Sequence, residues 1–231
     1  MIETIKVNIN GQTYNYSKDI TINEIYKEHQ SKYKYPIILA KVNGRLKELS
    51  AQLTDDSDIE FIDLTIKEGN RIHVNGLIFV LQYAVKKLYG PGANILVQHS
   101  LDKGVYIQTT FKLTEEKLEN IKLVMKEIIK KDIPITKVTI DRIEAKKYFK
   151  SIGDETKAGI LKYNTNNYIT LYRLGNLYNY FYTLMPTTTG VLKAFDVTYI
   201  KGNGFILRFP TIYENDKIKK YEHHPKMFEV F

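Results

Sequence analysis

Leu184-Met-Pro-Thr-Thr-Thr-Gly-Val-Leu-Lys-Ala-Phe-Asp196 is the stretch on which the reading of this chain turns. Small hydroxyl residues and a glycine, Thr187 to Gly190, make a turn, and an apolar strand pattern follows. Working outward, Lys193 to Ile200 and Phe205 to Phe209 read as strands after the turn, and Tyr168 to Leu174 and Tyr178 to Tyr182 as strands before it. Further back, a helix pattern from Asn75 carries Leu77, Phe79, Val80, Leu81, Ala84, Val85 and Leu88 and ends at Tyr89-Gly-Pro-Gly92. Ile95 to His99 and Val105 to Thr109 form a hairpin. Thr114, with Glu116 and Glu119, opens an amphipathic helix through Ile129 that Pro134 stops. A strand over Ile135 to Ile140 and a helical stretch over Asp141 to Phe149 complete the pattern. Two long helices with several antiparallel strands predict a two-layer α+β domain over residues 64–231.

Residues 1–63 read as a separate, smaller unit. Ile5, Val7 and Ile9 alternate with polar residues, Asn10-Gly11 is a hairpin turn, and Thr13 to Tyr16 returns. Thr21 and Glu24 have capping-box spacing ahead of a short helix with Ile22, Ile25 and Tyr26 on one face. Ile37 to Val42, turned at Asn43-Gly44, pairs back through Glu48, and Ile59 to Ile62 follows the acidic turn Asp55-Asp-Ser-Asp58. Two hairpins around one helix predict a β-grasp.

The 231 residues include no cysteine, which excludes disulfides and thiolate metal sites and points to the reducing cytoplasm. No signal-peptide core and no apolar run of membrane-spanning length occurs, so no membrane is expected as a partner. Charge is uneven: residues 1–63 hold 8 Lys and Arg against 10 Asp and Glu, and residues 64–231 hold 26 against 16. A basic second part is compatible with RNA. A lysine-rich composition from an A·T-rich genome accounts for the same numbers. Tyr163, Tyr168, Tyr172, Tyr178, Tyr180, Tyr182 and Tyr199 lie close together near Arg173 and Lys193, which suits either base stacking or ordinary strand formation.

Catalytic signatures are missing. No Gly is followed by Lys, so there is no phosphate loop, and neither H-E-x-x-H nor G-x-S-x-G occurs. Asp and Glu form no recognisable acid/base pair. His73 has no second His four residues on, His99 at a strand end suits a structural hydrogen bond, and the adjacent His223 and His224 point apart if extended.

The turn Thr187–Gly190 resembles the Pro-Ser-Thr-Gly turn in the second additional domain of threonyl- and alanyl-tRNA synthetases, which removes wrongly attached amino acids from tRNA. In that editing family two His four apart on a helix, and a Cys and a His before the turn, bind a metal. Counted back from Ala84-Val85 and from Gly190, those four positions hold Asn75, Phe79, Phe181 and Met185. The resemblance therefore implies the scaffold without the metal, and no catalytic residue. Asn75 suits a helix cap or a bond to a substrate hydroxyl, and the other three fill the space a metal would take. The first segment is similar to the TGS domain, the β-grasp module shared by threonyl-tRNA synthetases, some GTPases and stringent-response enzymes. That likeness rests on its hairpin start, the Val42-Asn-Gly44 turn with Leu46, and the acidic turn.

An ordered set of phrases resembles the N-terminal half of bacterial nucleoside kinases of the uridine-kinase type. They include His99-Ser-Leu-Asp-Lys-Gly-Val-Tyr106, Leu171-Tyr-Arg173, Gly204-Phe-Ile-Leu-Arg-Phe-Pro210 and Pro225-Lys-Met-Phe-Glu-Val-Phe231. This implies an accessory region ahead of a C-terminal kinase domain, with ATP and Mg used only by that domain and no cofactor in this chain; the sequence is then expected to be a piece of a longer polypeptide. Two roles follow: binding a nucleoside-like or RNA ligand, or docking the kinase domain. The alternative is a tRNA-binding or editing-related module derived from threonyl-tRNA synthetase. The candidate cleft lies between the helix from Asn75 and the turn Thr187–Gly190, with Asn75, Phe79, Phe181, Met185, Thr188 and Thr189 at its centre and Tyr106, Arg173 and Lys193 supplying polar groups.

Overall fold

The computed structural model describes residues 3–218 except Asp102 and Asn215; His223, His224 and residues 225–231 lie outside the described residues. The N-terminal unit forms as its local signals dictate. β1 (Thr4–Ile9) buries Ile5, Val7 and Ile9 and turns at Asn10-Gly11 into β2 (Gln12–Ser17). α1 (Ile22–His29) opens with a reciprocal cap, in which Thr21 Oγ1 accepts from Glu24 N at 3.2 Å and Glu24 Oε2 accepts from Thr21 N at 2.8 Å. β3 (Ile37–Val42), β4 (Arg45–Glu48) and β5 (Ser57–Asp63) complete a five-stranded sheet in the order β2-β1-β5-β3-β4. β1 and β5 run parallel and the other neighbours antiparallel, the β-grasp arrangement.

α2 (Lys67–Tyr89) begins well before Asn75, and its cap position is Ile66. Asn75 is thus an interior helix residue rather than a cap. The first turns escaped the apolar spacing because their buried face is made of Gly69, Ile72, His73 and Gly76. A β-carbon at Gly76 would lie 2.8 Å from Pro186 and 2.9 Å from Leu192, so the missing side chain lets the turn region lie directly on the helix.

β6 (Ile95–Leu101), β7 (Gly104–Thr109), α3 (Glu115–Lys130), β8 (Ile135–Asp141) and α4 (Arg142–Ser151) follow near the expected positions. α5 (Glu155–Tyr163) was not anticipated; it is short, weakly amphipathic and capped by Asp154, whose side chain accepts from Lys157 N. β9 (Tyr168–Leu174) pairs with β8 and with β10 (Leu177–Asn179). β10 is shorter than the expected Tyr178–Tyr182 strand. Asn179 turns its amide on the chain itself, accepting from Tyr180 N at 2.8 Å and donating to Gln82, and pairing ends there. β11 (Asp196–Lys201) starts after Lys193, and with β12 (Gly204–Arg208) it completes an antiparallel sheet ordered β11-β12-β7-β6.

The main core gathers Phe79, Phe149 and Phe205, all fully buried, with α2, α3 and inward residues of both smaller sheets. A separate core fills the β-grasp around Val7, Ile25 and Leu53. A third cluster bridges them: Ile38, Leu39 and Ile62 from the first sheet pack on Ile72 of α2, with Leu184 against them. Among the described residues no helix is long and apolar enough to cross a membrane.

Candidate functional site

The four positions that match the metal ligands of the editing family lie in the packing between α2 and the 181–185 segment. Phe79 is fully buried and meets the edge of Phe181 with ring centroids 5.2 Å apart. Such a pair contributes about 1 kcal/mol beyond its buried area. Met185 is buried beside them, and Asn75 donates to Thr183 Oγ1 at 2.7 Å. Asn75 thus anchors the Thr183 loop from the middle of a helix. Among the described residues no group of three or more His, Asp or Glu side chains could hold a metal.

The Thr187–Gly190 turn is tied down as a strap. Thr189 is wholly buried, its hydroxyl accepting from Ile133 N at 2.9 Å and donating to Ile128 O at 3.0 Å. Thr187 O accepts from Ile135 N at 2.8 Å, and Thr188 bridges to Pro134. These bonds tie the turn to the loop between α3 and β8, and the Thr189 hydroxyl has already spent its one donor on Ile128 O. Arg173 is exposed on the face of β9 opposite Tyr172, and Lys193 is exposed beyond the turn. Tyr106 sits on β7, its ring centroid 5.5 Å from that of His99, which is exposed within β6. Tyr106, Arg173 and Lys193 therefore do not join Asn75, Phe79, Phe181 and Met185.

A cleft of about 890 Å³ opens beside the plug, and Phe181 and Thr183 belong to its wall. Leu39 and Leu46 of the β-grasp form one side, the first turns of α2 a second, and β9 with the 180–184 loop a third. Its charged lining is mostly cationic: Lys67, Arg71 and Lys137 face it, against one carboxylate, Glu68. Lys67 and Arg71 form no ion pair among the described residues. Its aromatic lining includes Tyr168 and Tyr182, 66% and 79% exposed, with Tyr180 edge-on to Tyr182 at 4.7 Å. The Tyr168 and Tyr182 rings leave most of their surface open to the cleft and solvent. The sequence groups these tyrosines with Arg173 and Lys193, neither of which lines this cleft.

Tyr172 lines the same cleft and donates a short hydrogen bond to Glu48, a buried carboxylate at the end of β4. Burial first, and then Glu48, push the Tyr172 hydroxyl well above the ordinary phenol range, so it remains a donor. Lys137 completes the group, 2.9 Å from Glu48 and 5.6 Å above the Tyr172 ring. A second groove, of about 530 Å³, lies between α5, β6 and β10. Its Lys86 ammonium is consumed by Pro91 O at 2.6 Å, Asn94 Oδ1 at 2.7 Å and Ile152 O at 3.2 Å, a structural clamp.

No family model matches the chain. Over most of its length it is similar to threonine–tRNA ligases. That of Methylobacillus flagellatus is 33% identical over 165 residues, covering 70% of this chain and 26% of the ligase. That of Symbiobacterium thermophilum is 29% identical over 195 residues, or 83% and 30%. That of a Janthinobacterium species is 33% identical over 168 residues, or 71% and 26%. The chain spans less than a third of the length of these curated relatives. They support a threonyl-tRNA-synthetase-like region and give no support to a nucleoside-kinase parent.

Proposed function

We propose that this chain is a tRNA-binding module of the threonine–tRNA ligase type, using the cleft between its β-grasp and α2 to hold unpaired nucleotides and carrying out no metal-dependent deacylation. The observation that carries this is the lining of the cleft: exposed Tyr168 and Tyr182 face it together with Lys67, Arg71 and Lys137. Rings supply stacking surfaces indifferent to base identity, and cations follow the phosphates. Its volume, about 890 Å³, lies in the range of small-ligand sites. Similarity to threonine–tRNA ligases makes a tRNA end the natural RNA to try. Such a role belongs in the cytoplasm, and the absence of cysteine agrees with that compartment.

The deciding experiment is binding of deacylated tRNA by the chain, titrated at several salt concentrations. A dissociation constant that weakens with salt, and competition by a single-stranded RNA matching the acceptor end, support the reading. Binding to duplex RNA with equal affinity, or no binding at low salt, ends it.

A further inference from the structure

Glu48 is 7% exposed, and three donors from another part of the chain converge on its carboxylate. Lys137 Nζ of β8 lies 2.9 Å from Oε2. Met185 N donates to Oε1 at 3.0 Å, and the Tyr172 hydroxyl of β9 donates to the same oxygen. An ammonium, a phenol and a backbone N–H aimed at one point are a receptor for an oxyanion. Every donor comes from residues 137–185, and only the anion comes from the β-grasp. Lys137 and Tyr172 also line the cleft, which places the receptor at its back wall.

We infer that residues 137–185 carry an oxyanion site of the class that takes a phosphate group, and that Glu48 of the β-grasp occupies it in cis. A carboxylate serving only to join two packed surfaces has no need of a lysine whose side chain is 46% exposed toward the cleft. With Glu48 in place, Lys137 is neutralised, and the net cation facing the cleft is reduced to what Lys67 and Arg71 supply against Glu68. A phosphate entering the cleft competes with Glu48 for the same three donors. Its success would release β4 from β9, coupling occupancy of the cleft to the seating of the β-grasp.

The test titrates inorganic phosphate, at ionic strength held constant with chloride, into the full chain as wild type, Glu48→Ala and Glu48→Gln. The readout is the Met185 amide in proton–nitrogen correlation spectra. The expected result is a saturable Met185 shift in the variants at phosphate concentrations that leave the wild type unmoved, and loss of the shift when Lys137→Ala is added. Glu48→Gln keeps a neutral acceptor for Met185 and Tyr172 but loses the charge that holds Lys137, so phosphate displaces it more readily and the reading survives where alanine does not fold. A Met185 peak indifferent to phosphate in every folded variant, or moved equally in the wild type, overturns the inference. On tRNA, Glu48→Gln should bind more tightly, with a salt slope steeper by about 0.7 through the freed Lys137. The phosphate result does not rest on the tRNA reading: a protein that ignores tRNA while Met185 answers phosphate loses the proposed function and keeps the oxyanion site.

Discussion

Gly190 donates its backbone N–H to Asp132 Oδ1 at 2.8 Å, and a β-carbon at position 190 would overlap that same carboxylate. The bond closes a strap in which the Thr187–Gly190 turn grips the end of α3 and the start of β8. Thr189 and Gly190 therefore owe their place in the turn to packing.

Gly190→Ala is expected to destabilise the fold by roughly 1–3 kcal/mol, because Asp132 is short and cannot move aside without giving up the Gly190 bond. Urea unfolding should show a lower midpoint at unchanged slope. A variant as stable as wild type would mean that the loop yields freely and the strap is weak.

Stacking and charge in the cleft separate cleanly in binding data. Tyr168→Ala and Tyr182→Ala should each cost about 1–3 kcal/mol of tRNA affinity with little change in salt dependence. Lys67→Ala and Arg71→Ala should each flatten the salt slope by about 0.7. Arg173→Ala and Lys193→Ala, which remove exposed cations outside the cleft, serve as controls. Equal losses from the controls would show that general surface charge, not the cleft, binds the RNA.

Phe79, Phe181 and Met185 occupy the space between α2 and the Thr183 loop with apolar side chains, so chelation should not alter the fold. Dialysis against a chelator is expected to leave Tm unchanged, and purified protein to hold no stoichiometric zinc. One zinc per chain, lost together with several degrees of Tm, would refute this.

What was legible in the sequence was local. Asn10-Gly11 and Asn43-Gly44 fixed two hairpins, and Thr21 with Glu24 fixed a helix start, because each signal lies within a few residues of the structure it makes. The first turns of α2 were hidden because glycine and histidine, not a periodic apolar face, meet the neighbouring chain there. The cleft was half legible. Its tyrosines stood out as a group, but its cations lie on α2 and β8, and no spacing along the chain connects Glu48 with Lys137, Tyr172 and Met185. Thr189 misled for the opposite reason: a hydroxyl that looks free in sequence is spent on two backbone groups in the fold.

His73 gives the fold a dependence on acid. It is completely buried in α2, bonded through Nε2 to Ala194 O at 3.1 Å, while its Nδ1 has no partner. The bond to a carbonyl makes Nε2 the protonated nitrogen and leaves the ring neutral. Burial lowers its pKa to about 4, against the opposing effect of the Ala194 bond. The folded value lies below that of an unfolded histidine, about 6.5, so the unfolded chain takes up the proton first. The contribution of a neutral His73 is therefore fully present above pH 6.5 and is lost as pH falls from there through 4, at most roughly 3 kcal/mol. His73→Leu removes the titrating ring at similar volume, orphans the Ala194 carbonyl, and should lower stability at pH 7 by about 1 kcal/mol. Its unfolding free energy should then vary less between pH 6.5 and 4 than that of wild type. Parallel pH profiles for the two proteins would show that His73 does not set the acid limit of this fold.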